Sequence, residues 1–156
     1  IGMALACEPT LLIADEPTTA LDVTIQAQMV ELFRQLQDEL NVTTLYITHN
    51  LDLMAELCDR AIVMYGGMIV EAGTVQDLFE NPRHPYTRML TDCVPRLDVE
   101  ECELTVIPGM PPALGSIKGG CPFEPRCPLA FEKCRQTCPA EEAIGGHRFS
   151  CWEGER

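Results

Sequence analysis

Positive charge is scarce where the chain begins. Residues 1–81 hold two basic residues, Arg34 and Arg60, against thirteen acids. A surface with that balance cannot cradle a polyanion unaided, which excludes nucleic acid as a natural ligand there. Long apolar runs are also missing, and none approaches the roughly 18 to 20 residues a membrane-crossing helix needs. Residues 1–7 have no basic segment and are too short for a secretory signal, so the chain is expected to be soluble and to sit in a reducing compartment. A disulfide framework is therefore not expected.

What is present fits a folded protein. In 156 residues, 46% are apolar and 22% charged, enough for one domain or one and a half with a buried core. The net charge of −13 is uneven, −11 over residues 1–81 and −2 over residues 82–156, where nine bases face eleven acids. Ten of the twelve prolines follow residue 81, and these shifts place a boundary near Asn81 to Pro85, between segments 1–81 and 82–156. Five of nine cysteines (Cys121, Cys127, Cys134, Cys138, Cys151) fall in the last 36 residues and read as metal-binding or reactive thiols. Cys7, Cys58, Cys93 and Cys102 read as small buried hydrophobes.

Periodicity supplies the elements. An apolar helix running to Cys7 ends at Glu8-Pro9-Thr10. Leu11-Leu12-Ile13-Ala14 then reads as a strand buried on both faces. Asp22 is a fair N-cap for a helix from Val23 to about Leu40, with Ile25, Met29, Leu32, Phe33, Leu36 and Leu40 on one face. Residues 43–48 form a second buried strand, which completes a βαβ unit. A short helix from Leu51 to Cys58 follows, then a hairpin of Ala61 to Tyr65 and Met68 to Glu71 around Gly66-Gly67. Thr74 caps a helix through Phe79, and Pro85 suits the first turn of one reaching Cys93. Beyond Pro95 the pattern thins, and the tail from Gly119 is too rich in Cys, Pro and Gly for a large apolar core.

In an open parallel sheet, side chains at the carboxyl ends of strands line the ligand crevice. Here the first strand ends in Asp15-Glu16-Pro17 and the second leads to His49. Asp15 is placed to hold a hard cation such as Mg²⁺ through oxygen, and Glu16 to polarise a water attacking a phosphate. His49 can hydrogen-bond a terminal phosphate oxygen. Taken alone, an Asp-Glu-Pro after a strand is most often a turn, and a histidine there a structural hydrogen bonder.

The complete string is more specific. Leu11-Leu12-Ile13-Ala14-Asp15-Glu16-Pro17-Thr18-Thr19-Ala20-Leu21-Asp22, with Ile47-Thr48-His49-Asn50-Leu51 beyond it, resembles the Walker B, D-loop and H-loop of ABC-type ATPases. The resemblance implies ATP and Mg²⁺ as cofactors, Asp15 at the magnesium, Glu16 as general base, His49 at the γ-phosphate and Asp22 ending a D-loop that crosses to a second ATPase subunit. Thr19 stands where Ser is common and Asn50 where Asp is common, and neither is expected to touch the chemistry. The chain contains no G-x-x-x-x-G-K-[ST] loop, no Q-loop and no Leu-Ser-Gly-Gly-Gln-like signature. The implied fold is α/β: the C-terminal half of a P-loop, RecA-like ABC ATPase core with a Cys/Pro-rich extension, inactive alone, with an unpaired sheet edge.

Residues 81–90, the Pro108-Gly109-Met110-Pro111-Pro112 stretch and the cysteine-rich segment to Trp152 resemble the C-terminal extension of oligopeptide and dipeptide importer ATPases. That implies two paired ATPase subunits, identical or different, beneath two membrane permeases fed by an external peptide-binding protein, on the cytoplasmic face of the cell membrane. It also implies peptide uptake, or nickel uptake in some relatives. Cys121, Cys127, Cys134 and Cys151, with Cys138 as an extra, suit a [4Fe–4S] cluster, zinc or simply packed thiols. Resemblance favours the cluster. His147 is an alternative zinc ligand, and Arg83, His84 and Arg88 read as a solvated helix start.

Overall fold

The computed structural model describes residues 1–19, 21–93, 107–113, 115, 117 and 119–152. Ala20, Pro95 and Cys102 lie outside them. The chain forms two compact units, Ile1–Cys58 and Asp59–Arg156. This division falls before the hairpin, whereas composition shifts near Asn81.

The first unit opens with a single-turn helix, α1 (Gly2–Leu5), which buries no residue and leaves Cys7 exposed. The expected burial of Cys7 is thus corrected: one turn cannot present an apolar stripe. Strand β1 (Leu11–Asp15) and strand β2 (Thr43–Ile47) pair in parallel, with Leu11 opposite Thr43 and Asp15 opposite Ile47. Helix α2 (Val23–Leu40) connects them, and helix α3 (Leu51–Leu57) follows. Asp22 caps α2 by accepting the Ile25 N–H at 2.9 Å, and Asn41 closes its other end in the left-handed region.

The core of this unit joins Leu12, Ala14, Val30, Phe33, Val42, Leu53 and Leu57. It lies on one side of the strands only. Leu12 and Ala14 point into it, while Leu11 and Ile13 remain 51% and 60% exposed, as do Leu45 and Ile47 at 47% and 48%. The strands therefore lack the two-sided cover their apolar sequence calls for. The expected helix face holds in part: Phe33 is buried and Met29 packs against the core, whereas Ile25, Leu32 and Leu40 are exposed and Val30 takes a core position.

The second unit is built on a four-stranded antiparallel sheet of β3 (Arg60–Tyr65), β4 (Met68–Thr74), β5 (Glu142–Ile144) and β6 (His147–Phe149), in the order β3-β4-β6-β5. Gly66 and Gly67, both at positive φ, turn the first hairpin. Helix α4 (Val75–Glu80) starts with a capping box between Thr74 and Asp77, and helix α5 (Pro85–Asp92) carries proline in its first turn. The cysteine-rich segment adds a 3₁₀ turn (Glu124–Arg126) and helix α6 (Glu132–Gln136). Among the described residues, no helix is long and apolar enough to cross a membrane.

The tail does build a core, by lending one residue to the hairpin's. Phe123 is fully buried, with its ring 5.1 Å from Tyr65, 5.2 Å from Tyr86 and 5.8 Å from His84. Arg126 fastens the same segment by donating to the Tyr65 hydroxyl at 3.1 Å and to the Pro108 and Ile107 carbonyls at 2.7 and 2.9 Å. Glu71 is also fully buried. It accepts the Arg83 and His84 N–H groups at 2.6 and 2.9 Å, and His147 Nε2 lies 2.6 Å away. A buried carboxylate requires such partners, and here they tie β4 to the start of α5 and to β6. His84 is therefore a buried part of the junction and no solvated helix start.

Candidate functional site

Parallel pairing brings the ends of β1 and β2 together. Asp15 ends β1 opposite Ile47, and the next N–H, that of Glu16, donates to the Ile47 carbonyl at 2.8 Å. Glu16 adopts φ +43, a left-handed conformation seldom taken by a residue with a side chain, where the strand breaks into the Pro17 turn. From there Glu16 Oε1 lies 2.9 Å from His49 Nδ1, across 33 residues of sequence. The second carboxylate oxygen accepts the Thr19 hydroxyl at 2.6 Å, and the Thr19 N–H donates to the Glu16 carbonyl at 3.1 Å.

These contacts set the electrostatics. The Thr19 hydroxyl, and after it the His49 ring, hold the Glu16 carboxyl below its ordinary 4.5 despite a small opposing effect of burial. Glu16 is thus an ionised acceptor at neutral pH, so the shared proton resides on His49 Nδ1. The imidazole is 78% exposed, with Nε2 the ring atom left over. Asp15 is exposed at the same rim. Asp22 lies one turn further along with its Oδ1 engaged as the α2 cap. Asn50 caps α3 by accepting the Asp52 and Leu53 N–H groups, work an Asp would do equally well.

Thr19, which the sequence reading set outside the chemistry, donates its hydroxyl to Glu16. Its position three residues after Glu16 is the spacing at which a turn returns a side chain to its own start, and that was the available signal.

The thiols occupy the other unit. Cys121, Cys127, Cys134 and Cys151 line one small cavity of about 20 Å³ together with Phe123 and Trp152. Burial pushes the Cys121 thiol up to about 11, with the neighbouring Cys151, Cys127 and Cys134 adding to it. The donor chemistry would suit a soft metal, but among the described residues no three His, Cys, Asp or Glu side chains stand together closely enough to hold one. The cluster or zinc expected at these thiols is carried by the resemblance alone, and His147 is bonded to Glu71. Cys138 does not line the cavity.

The chain is similar in sequence to known proteins. Residues 70–134 match the family described as oligopeptide/dipeptide transporter, C-terminal region. The dipeptide transport ATP-binding protein DppD of Bacillus subtilis is 50% identical over 153 residues, which is 97% of this chain and 46% of that protein. The oligopeptide transport ATP-binding proteins OppD of Salmonella typhimurium and Escherichia coli are each 49% identical over 153 residues, 98% of this chain and 46% and 45% of theirs. Among solved structures, cbiO1 from Clostridium perfringens, part of the ABC transporter complex cbiONQ, aligns at 34% identity and a TM-score of 0.46, covering 49% of this chain and 31% of its own. The chain spans about half the length of the curated relatives it matches. In sequence it is similar to the oligopeptide/dipeptide ABC transporter ATP-binding proteins over the part of their length that it spans.

Proposed function

We propose that the chain is the C-terminal half of an ATP-binding subunit that hydrolyses ATP to energise import of di- and oligopeptides through a membrane ABC transporter. The observation that carries the reading is the 2.9 Å contact between Glu16 and His49 at the carboxyl end of two paired parallel strands. It joins an ionised carboxylate and an imidazole where an α/β sheet receives its ligand.

In this reading Glu16 takes a proton from the attacking water as general base. His49, with Nδ1–H committed to Glu16, presents Nε2 to a terminal phosphate oxygen, and donates there when the ring carries both protons. Asp15 offers a hard oxygen donor suited to Mg²⁺ at the strand end. Bound magnesium neutralises charge on the phosphates. Asp22, holding the start of α2, fixes the far end of the loop that faces a second ATPase subunit. The paired ATPase subunits sit on the cytoplasmic face beneath two membrane permeases, which an external peptide-binding protein feeds. The chain carries no phosphate-gripping loop, so turnover requires the full-length subunit. The bare face of Leu11, Ile13, Leu45 and Ile47 supports the same view, since a parallel sheet is covered on both sides.

The test is Glu16→Gln in the full-length subunit. Turnover is expected to fall by about 10² to 10⁴, with nucleotide binding retained. Undiminished turnover rejects the base.

A further inference from the structure

The Glu16 carboxylate is held from three directions. Its backbone N–H is pinned to the Ile47 carbonyl at 2.8 Å, Oε1 meets His49 at 2.9 Å, and Oε2 accepts the Thr19 hydroxyl at 2.6 Å. The first fixes where the residue sits, and the other two fix the plane of the carboxylate. The Glu16 and His49 side chains are both exposed, at 43% and 78%, so packing restrains the rotamer only in part. A glutamate with three free torsions and only partial packing would sample many orientations. The hydroxyl is the shortest of the three contacts and comes from the same tight turn, closed by the Thr19 N–H on the Glu16 carbonyl at 3.1 Å. Thr18, next to it, is buried and anchors that turn in the unit.

We propose that Thr19 is a positioning residue for ATP hydrolysis: its hydroxyl holds the Glu16 carboxylate in the orientation in which it receives the water's proton. The inference rests on the assignment of Glu16 as general base. A hydroxyl is required and a particular side chain is not, so serine serves and valine, of threonine's shape, does not. The contact orients a group that acts on the attacking water, and Thr19 is given no part in binding ATP. Its loss should therefore appear in kcat and leave KM for ATP alone.

The experiment compares Thr19→Val, Thr19→Ser, Glu16→Gln and the Thr19→Val/Glu16→Gln pair in the full-length ATP-binding subunit, reading kcat and KM for ATP. Thr19→Val is expected to lower kcat about 10-fold to 100-fold, the usual worth of a hydrogen bond to a charged group, with KM unchanged within about twofold. Thr19→Ser should keep at least about half of the parental kcat, and adding Thr19→Val to Glu16→Gln should cost nothing further. A parental kcat for Thr19→Val overturns the proposal. So does a Thr19→Ser variant as slow as Thr19→Val, a raised KM at unchanged kcat, or a full multiplicative loss in the pair. Where Thr19→Val does not fold, Thr19→Ala removes the same hydroxyl with less bulk and is read against Thr19→Ser by the same criteria. Glu16→Gln at parental turnover removes the base itself, whereas inactive Glu16→Gln beside unimpaired Thr19→Val removes only the role of Thr19.

Discussion

The two units handle polar groups in opposite ways. In the first, Asp15, Glu16 and His49 gather at an exposed rim, and an apolar sheet face is left bare beside them. In the second, Glu71, His84 and His147 are buried and bonded to one another's elements, and one phenylalanine closes an aromatic cluster. Similar residue types thus stand open to solvent and ligand in one unit and serve architecture in the other. A carboxylate–imidazole pair occurs in both units, at 2.9 Å and at 2.6 Å, and only exposure tells them apart.

The contrast can be broken in order of effect. Phe123→Ala should remove the centre of the aromatic cluster and cost the second unit about 3–5 kcal/mol. Chemical denaturation followed by fluorescence of Trp152 would record it, and a loss under about 1 kcal/mol would mean that the tail is ordered by something else. Glu71→Gln keeps the shape but turns an amide N–H₂ toward donors, and is expected to cost about 1–3 kcal/mol. Measured in the same way, an unchanged stability would show that the buried junction bears no weight. Asp22→Ala in the first unit should cost about 1 kcal/mol, the worth of a helix cap. Amide exchange at the first turn of α2 would report it, and unchanged protection there would contradict the cap.

The smallest effect is one of pH. The Cys121 thiol is pushed up to about 11 from an ordinary 9.0, so the folded unit keeps a proton that the unfolded chain releases. The sign follows: the second unit is unaffected by this group below pH 9.0 and loses stability as pH rises from there to about 11. Mass-resolved alkylation at pH 8 should label exposed Cys7 well before Cys121. Equal rates would contradict a buried, protonated thiol.

Much of this was legible in the chain itself. β1, α2, β2 and the Gly66-Gly67 hairpin follow from local periodicity and turn chemistry, and Pro85 marks the start of α5. Asp15, Glu16 and His49 were found because strand ends in a parallel sheet converge. The pairing of β4 with β6 was not legible, since three residues reading His-Arg-Phe carry no period and their partner lies 76 positions away. Nor was the division at Cys58, because composition follows exposed charge while compactness follows strand pairing. That Cys121, Cys127, Cys134 and Cys151 share one cavity was not legible either, since spacing along the chain gives thiol count and not thiol geometry.

The most direct test of the rim is a double-mutant cycle on ATP turnover with Glu16→Gln and His49→Ala in the full-length subunit. If the two side chains work as one contact, each single change lowers turnover by about 10² or more, and the pair falls no further than the worse single change. Losses that multiply, or parental turnover in either single variant, would contradict the account.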